Sequence, residues 1–313
     1  MKIAILFPGQ GSQYIGMGSE FVASNTVCAE VLKRAENASG LALGQLCEEG
    51  PMETLTRSAN LQPAITVTNL ICWRAFQEAV GNSAEIHCFA GHSLGEYSAL
   101  CAAGVISIED SIRLVAKRGA LMEREGDLNP GGMRAVVGLS IDQVEKIIDE
   151  YQGSGIITAA NHNTPTQIVL SGSMKGLDDI NNDLEKAGAK VIPLNVSVAN
   201  HSPLVANAVP DFTEFLQSVR FATPNIPVYF NVSAKKETDP AVMKDMMARQ
   251  IASRVRWCEI IESMLEEGVD CFVEIGPKTV LKGMMRKIVP KGTKVTSLQL
   301  DTPDGLKKCL EDI

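Results

Sequence analysis

Residues 85–103 read EIHCFAGHSLGEYSALCAA. The first six, Glu85–Ala90, are a short apolar run of the kind that forms a buried strand, and Leu94–Ala103 opens a helix. Between them Gly91-His92-Ser93-Leu94-Gly95 fits G-x-S-x-G. A sharp strand-to-helix turn of this kind pushes a serine side chain out at the sheet edge, and its glycines relieve crowding around the strained backbone. N–H groups at the helix start point toward negative charge, which suits an oxyanion. Ser93 is therefore a candidate nucleophile. The plainer alternative is a tight turn with an N-capping serine.

Working outward, strands alternate with helices. Lys2–Phe7 reads as a buried strand, followed by helical patterns over Ser19–Glu36 and Pro63–Val80, and by a helix over Asp110–Glu125 after the elbow. Such alternation predicts a parallel sheet covered on both faces. The middle differs. Strand Gly132–Leu139 is followed by helix Ile141–Gln152, with Ser140 and Gln143 spaced as a capping box. Next come strand Gly155–Ala160, a turn at Asn163-Thr164-Pro165, strand Gln167–Ser171, helix Lys175–Lys186 and strand Lys190–Val196. The order β-α-β-β-α-β is that of a ferredoxin-like unit. The α/β pattern then resumes with helix Pro210–Val219, strand Val228–Asn231, helices Ala241–Ile251 and Trp257–Glu267, strand Asp270–Ile275, helix Thr279–Lys287 and strand Val295–Leu298. The expected fold class is α/β: a large domain of residues 1–128 and 197–313, interrupted by a small ferredoxin-like subdomain of residues 129–196. A cleft between the two would be a natural ligand site.

Composition narrows the function classes. The chain has 313 residues, 45% hydrophobic and 21% charged, with a formal net charge of −8. Those are values of a globular protein with a sizeable core and no global reason to bind nucleic acid. The apolar run Ile3–Phe7 is too short for a signal-peptide core, and no run approaches a membrane span, so a cytoplasmic protein is expected. The eight cysteines form no CxxC and read as buried reduced thiols. The four histidines lack ligand spacing, so no metal is expected.

A nucleophilic serine needs a base, commonly histidine. His92 adjoins Ser93 and should point away from it. His87 reads as a packed strand residue, and His162 lies beside a turn. His201, in Val198-Ala199-Asn200-His201-Ser202-Pro203, falls where the chain returns to the large domain, at the inferred cleft. Pro8-Gly9-Gln10-Gly11-Ser12-Gln13 is a second glycine-rich turn after a strand. It lacks the lysine of a phosphate loop, and reads either as a plain connection or as a source of an oxyanion donor. Arg118 is either a surface arginine or a cleft residue able to bind a carboxylate bidentately.

Together these residues resemble the malonyl-CoA:acyl carrier protein transacylase family, over nearly the whole chain. The resemblance is carried by PGQGSQ (8–13), LQPA (61–64), GHSLGEYSAL (91–100), KRGALM (117–122), GGMRAVVGL (131–139), NHNTPTQIVLSG (161–172), VSVANHSPL (196–204), RQIASRVRW (249–257) and FVEIGP (272–277). It implies that Ser93 attacks a malonyl thioester and that His201 is the base, oriented by the backbone carbonyl of Gln250. It implies an oxyanion hole from the N–H groups of Gln10 and Leu94, with Arg118 pairing the malonyl carboxylate and Met122 and Asn163 in the acyl pocket. It further implies transfer from malonyl-CoA to acyl carrier protein in fatty acid synthesis, a monomer, and no cofactor beyond the CoA thioester substrate.

The sequence departs from the family pattern at Asn200 before the histidine, at Arg254 where proline is common, and at Lys278 where glycine is often found. Leu94 and Asn200 keep malonyl preferred without excluding methylmalonyl. The carrier is expected to be acidic, so Lys278, Lys282, Arg286 and Lys287, clustered around one helix, are a candidate docking patch; the alternative is an ordinary solvated helix face. Competing readings are a trans-acting acyltransferase of polyketide synthesis, a serine thioesterase or other hydrolase, and a non-catalytic carrier-binding homologue. Arg118 and the inserted subdomain tell against a hydrolase.

Overall fold

A computed structural model describes residues 1–81, 84–196 and 198–313. Ser197, in the 196–204 block and at the expected domain boundary, lies outside the described residues. The chain opens with strand β1 (Ile3–Phe7) and helices α1 (Ser19–Ser24), α2 (Thr26–Ser39), α3 (Leu43–Glu49), α4 (Met52–Leu55) and α5 (Ser58–Val80). Strand β2 (Ile86–Gly91) leads into α6 (Gly95–Ala102) and α7 (Ile108–Leu128). Then come β3 (Gly132–Val137), α8 (Ile141–Asp149), β4 (Ile157–Thr164), β5 (Gln167–Gly172), α9 (Met174–Lys186) and β6 (Lys190–Pro193). The remainder is α10 (Ala208–Gln217), β7 (Val228–Tyr229), β8 (Lys236–Glu237), α11 (Pro240–Arg249), α12 (Trp257–Glu266), β9 (Cys271–Ile275), α13 (Val280–Ile288), β10 (Thr296–Leu300) and α14 (Pro303–Glu311).

The large sheet runs β10-β9-β1-β2-β7-β8. Its pairs are parallel except β7–β8, so it is mixed and mostly parallel. β1 is central and fully buried, and its period-2 alternation feeds two cores. Ile3, Ile5 and Phe7 join the core beneath α2, α5 and α7, while Ala4 and Leu6 join the one beneath α12 and α13. The second sheet, β4-β5-β3-β6, is antiparallel throughout, the strand order of a ferredoxin-like unit. Val136, Ile168 and Leu170 pack with Val144 of α8 and with Leu177, Ile180 and Leu184 of α9 on one face. Met133 and Val169, on the other face, line a cleft that also contains Ser93.

The two sheets are stitched at one seam. Val255 N–H donates to the Ala160 carbonyl (2.8 Å) and His162 N–H donates to the Val255 carbonyl (2.9 Å). Arg254, the residue standing where proline is common, donates to the Ala159 carbonyl at 2.8 Å and pairs with Glu145 of α8 at 2.5 Å. No helix among the described residues is long and apolar enough to cross a membrane.

Several sequence expectations are corrected. The single helix over Ser19–Glu36 is two, because Asn25 is extended (φ −140°) and its side chain accepts the Val27 and Cys28 N–H groups, capping α2. The turn expected at 163–165 is the two-residue Pro165–Thr166 link, and two irregularities of register carry Asn163 and Thr164 into β4. The last small-subdomain strand stops at Pro193 on the sheet edge, where a missing N–H costs no ladder bond. The strand expected over Val228–Asn231 ends at Tyr229, because Asn231 leaves the sheet to bond the serine turn. His87 is not fully packed; its Nε2 lies 3.5 Å from Glu267. Helices α3, α4 and α14 and the short β8 were not foreseen, although Thr302 before Pro303 is a helix-start signal and caps α14.

The elbow rests directly on the end of β1. A Cβ on Gly95 would stand 2.1 Å from the Phe7 carbonyl oxygen, and one on Gly91 would stand 1.9 Å from the Gly95 carbonyl carbon. Both contacts are with backbone, which cannot swing aside. Gly95→Ala is therefore expected to lower unfolding free energy by about 1–3 kcal/mol, read by urea denaturation. Wild-type stability in that variant would contradict the close approach.

Candidate active site

The turn between β2 and α6 holds Ser93 in the left-handed region, φ 49°, which a non-glycine residue enters only when its surroundings compel it. Here two side chains compel it. Asn231 accepts the Ser93 N–H through Oδ1 (2.6 Å) and donates through Nδ2 to the Gly91 carbonyl (2.8 Å). Gln250 donates through Nε2 to the Ser93 carbonyl (2.8 Å). Both tie back to Glu96, 1% exposed, which accepts the Asn231 N–H at 2.8 Å and the Gln250 amide. Burial pushes the Glu96 carboxyl up to about 7.

Ser93 Oγ lies 2.7 Å from His201 Nε2. His201 also has a positive φ, 58°, and its Nδ1 is 2.9 Å from the Gln250 carbonyl. A carbonyl only accepts, so Nδ1 carries the proton and Nε2 is left to accept one from Ser93. Burial, and then the charge of Arg118, push His201 down to about 3, so the imidazole is neutral near pH 7. His92 is excluded as the base: its Nε2 meets Asn163 Oδ1 at 2.8 Å and its ring stands edge-on to Trp257.

Arg118 is 1% exposed, which removes the surface reading. Its NH1 donates to Gln62 Oε1 (2.9 Å), and its NH2 donates to Gln250 Oε1 (3.1 Å) and to Ser93 Oγ (3.3 Å). Its Nε has no hydrogen-bond partner. Among the described residues no carboxylate forms an ion pair with it. Such a group is poised for an anion. Met122, beside it, accepts from Gln62 through sulfur at 3.4 Å and lines the cleft.

Gln10 and Leu94 also line the cleft. Gly9 brings them together, since a Cβ there would stand 2.4 Å from the His92 carbonyl oxygen and 3.5 Å from Leu94 N. The loop is pinned from within: Ser12 Oγ donates to the Gly9 carbonyl (2.7 Å), Gln13 accepts the Gly11 N–H (2.8 Å) and Asn69 donates to the Pro8 carbonyl (3.0 Å). Neither the Gln10 nor the Leu94 N–H is taken up by an acceptor among the described residues. This arrangement can move a proton from Oγ to Nε2, offer two N–H groups to an oxyanion, and bind a carboxylate nearby.

Seven of the eight sequence-predicted site residues thus line one cleft, and the eighth, Gln250, lies buried behind it against His201 and Ser93. Gln62, Glu96, Asn231 and the Gln250 side chain were missed as supports. Gln62 and Glu96 lie inside quoted motifs, but nothing in spacing assigns them partners, and Asn231 is 138 residues from Ser93. Asn200 lines the cleft with Oδ1 buried and unpartnered. Lys278, standing where glycine is frequent, has φ 64° and is stabilised there by an N–H donated to Asp301 (3.1 Å).

Residues 5–304 match the acyl transferase domain family. A malonyl CoA-acyl carrier protein transacylase of Salmonella typhimurium is 36% identical over 310 residues, 99% of each chain. The chain belongs to the malonyl CoA-acyl carrier protein transacylase family. Its members include an acyl carrier protein S-malonyltransferase of Vibrio cholerae, solved as a crystal structure, with TM-score 0.94, 34% identity, and coverage of 99% of this chain and 100% of that one. A malonyl-transacylase solved in complex with a type II PKS acyl-carrier protein matches at TM-score 0.95 and 34% identity, over 100% of both chains. As a member of this family the chain is an acyltransferase.

The depressed His201 value has two readable consequences. Because the folded value lies below the ordinary 6.5, the stability His201 contributes is present above about pH 6.5 and is lost as pH falls toward about 3. Arg118→Gln removes the second cause of the depression, so the His201 ring is expected to titrate at higher pH in that variant. Nitrogen-15 chemical shifts of the imidazole read this directly, and an unmoved titration would contradict the coupling.

Proposed function

We propose that this acyltransferase moves a malonyl group from malonyl-CoA to the phosphopantetheine thiol of an acyl carrier protein through a malonyl-serine intermediate. The observation that carries the reading is a serine–histidine pair at 2.7 Å beside a buried arginine that lacks a carboxylate. As Ser93 Oγ attacks the thioester carbonyl, His201 Nε2 takes its proton. The new C–O bond forms a tetrahedral oxyanion, held by the N–H groups of Gln10 and Leu94. The C–S bond then breaks, and His201 returns the proton to the departing CoA thiolate. The carrier thiol repeats the sequence in reverse: His201 removes its proton, sulfur attacks the ester, and Ser93 leaves with the proton. The Gln250 carbonyl keeps His201 in the required tautomer throughout.

Arg118 pairs with the malonyl carboxylate, and Met122 and Asn163 shape the acyl pocket. A substrate without that carboxylate leaves the guanidinium unpaired, which favours malonyl over acetyl. The chemistry needs no metal or redox cofactor. We assign residues 1–128 and 197–313 to a large catalytic domain and 129–196 to the ferredoxin-like subdomain that closes the cleft, in a cytoplasmic monomer. Fatty acid elongation is the pathway we favour. Likeness to the malonyl-transacylase solved with a type II PKS acyl-carrier protein supports a second reading, in which the carrier belongs to polyketide synthesis. The hydrolase reading is disfavoured because the Nδ1 of His201 faces a carbonyl, not a triad carboxylate.

For the carrier we propose the patch of Lys278, Lys282, Arg286 and Lys287. It flanks Val280, Leu281 and Met284, which line the cleft, so an acidic partner held there could pass a prosthetic arm inward. The double variant Lys282→Glu, Arg286→Glu is expected to raise KM for carrier protein about tenfold with the KM for malonyl-CoA unchanged. An unchanged KM for the carrier would remove this surface from the proposal.

Intact mass after incubation with malonyl-CoA should show one malonyl adduct on the wild type and none on Ser93→Ala. Arg118→Ala should load malonyl more slowly by about a hundredfold or more while its acetyl loading changes far less. Free acid and CoA accumulating without an adduct would favour the hydrolase.

A further inference from the structure

The site contains two buried ionisable groups of opposite sign, Arg118 and Glu96, each 1% exposed. They do not touch. The Gln250 side chain stands between them, accepting from Arg118 NH2 through Oε1 (3.1 Å) and donating to Glu96 through Nε2. Above neutral pH, where its carboxyl is ionised, Glu96 is thus a counter-charge to the buried guanidinium at one remove. On the proposed reading, malonyl brings a second carboxylate to the same cation. Two buried anions would then share one buried cation, which a low-dielectric site strongly disfavours.

We infer that Glu96 is a specificity-determining residue for carboxylated acyl groups, and that it takes up one proton when the substrate carboxylate settles on Arg118. The buried site is then neutral in both states: Arg118 cation with Glu96 anion when empty, and Arg118 cation with substrate anion and neutral Glu96 when loaded. An acyl group without a carboxylate leaves Glu96 ionised and binds no proton. The inference rests on Arg118 being the carboxylate partner.

The surroundings permit this exchange. Each Glu96 oxygen accepts one N–H, from Asn231 and from Gln250, which leaves a lone pair for a proton. Burial already raises the Glu96 carboxyl to about 7, close to neutrality. The charged and titratable groups around it are few. Arg118 faces it from α7, Tyr97 follows it on α6, and Asn231 and Gln250 face it as neutral amides. His201, beyond Arg118, starts at about 3 and would have to rise by several pH units to compete for the proton.

Titration calorimetry of Ser93→Ala with malonyl-CoA, in buffers of different ionisation enthalpy, counts protons without chemistry. At about pH 8 the inference predicts uptake approaching one proton per site for malonyl-CoA and none for CoA or acetyl-CoA. Glu96→Gln in the same background should abolish the uptake and flatten the loss of malonyl-CoA affinity, which is otherwise tenfold per pH unit above neutrality. Malonyl-CoA binding with no proton uptake in the Ser93→Ala protein overturns the role of Glu96, even if Glu96→Gln fails to fold. Equal affinity for malonyl-CoA and acetyl-CoA, with Arg118→Gln binding both as before, would instead overturn the reading on which the inference rests.

Discussion

The left-handed backbone of Ser93 is the constraint around which the rest of the site is arranged. A serine at φ 49° stays there only if both of its backbone polar groups are held, and Asn231 and Gln250 hold them from two separate segments of the chain. Glycines at 9, 91 and 95 do the complementary steric work, letting the β1 loop, the turn and helix α6 approach closer than any Cβ would permit. The sheet order serves the same end. Placing β1 next to β2 brings the Gly9–Gln10 turn against the serine turn, so that Gln10 and Leu94 line one cleft, and placing β7 on the far side of β2 delivers Asn231 to the serine N–H.

Gln250 links the parts. Its carbonyl faces His201, its amide nitrogen faces the Ser93 carbonyl and Glu96, and its amide oxygen faces Arg118. One residue therefore couples His201, Ser93 and Arg118. This explains how the arginine can be buried without a direct anionic partner: an amide links it to a buried carboxylate.

Much of this was legible in sequence, for identifiable reasons. The elbow was readable because G-x-S-x-G sits between an apolar strand and a helix, and the α8 cap was readable because Ser140 and Gln143 have capping-box spacing, which the structure forms. The ferredoxin-like order followed from the alternation of short strands and amphipathic helices. Features fixed by distant partners were not legible. The break at Asn25 depends on a side-chain bond that an unbroken helical pattern conceals. The early end of β7 depends on Asn231 being drawn to a turn far away in sequence. The burial of Arg118 depends on Gln62 and Gln250, from α5 and from the segment after α11, and no local pattern around Lys117-Arg118 reveals it.

The central claim is that Ser93, His201 and the two free N–H groups form an acyl-serine that waits for a thiol. Isotope exchange tests it most directly: radiolabelled CoA is mixed with unlabelled malonyl-CoA and the wild-type protein, with no carrier protein present. The account predicts label entering malonyl-CoA at a rate comparable to turnover, because the first half-reaction is complete and reversible by itself. Exchange that appears only when carrier protein is added would contradict the covalent intermediate and with it this account of the site.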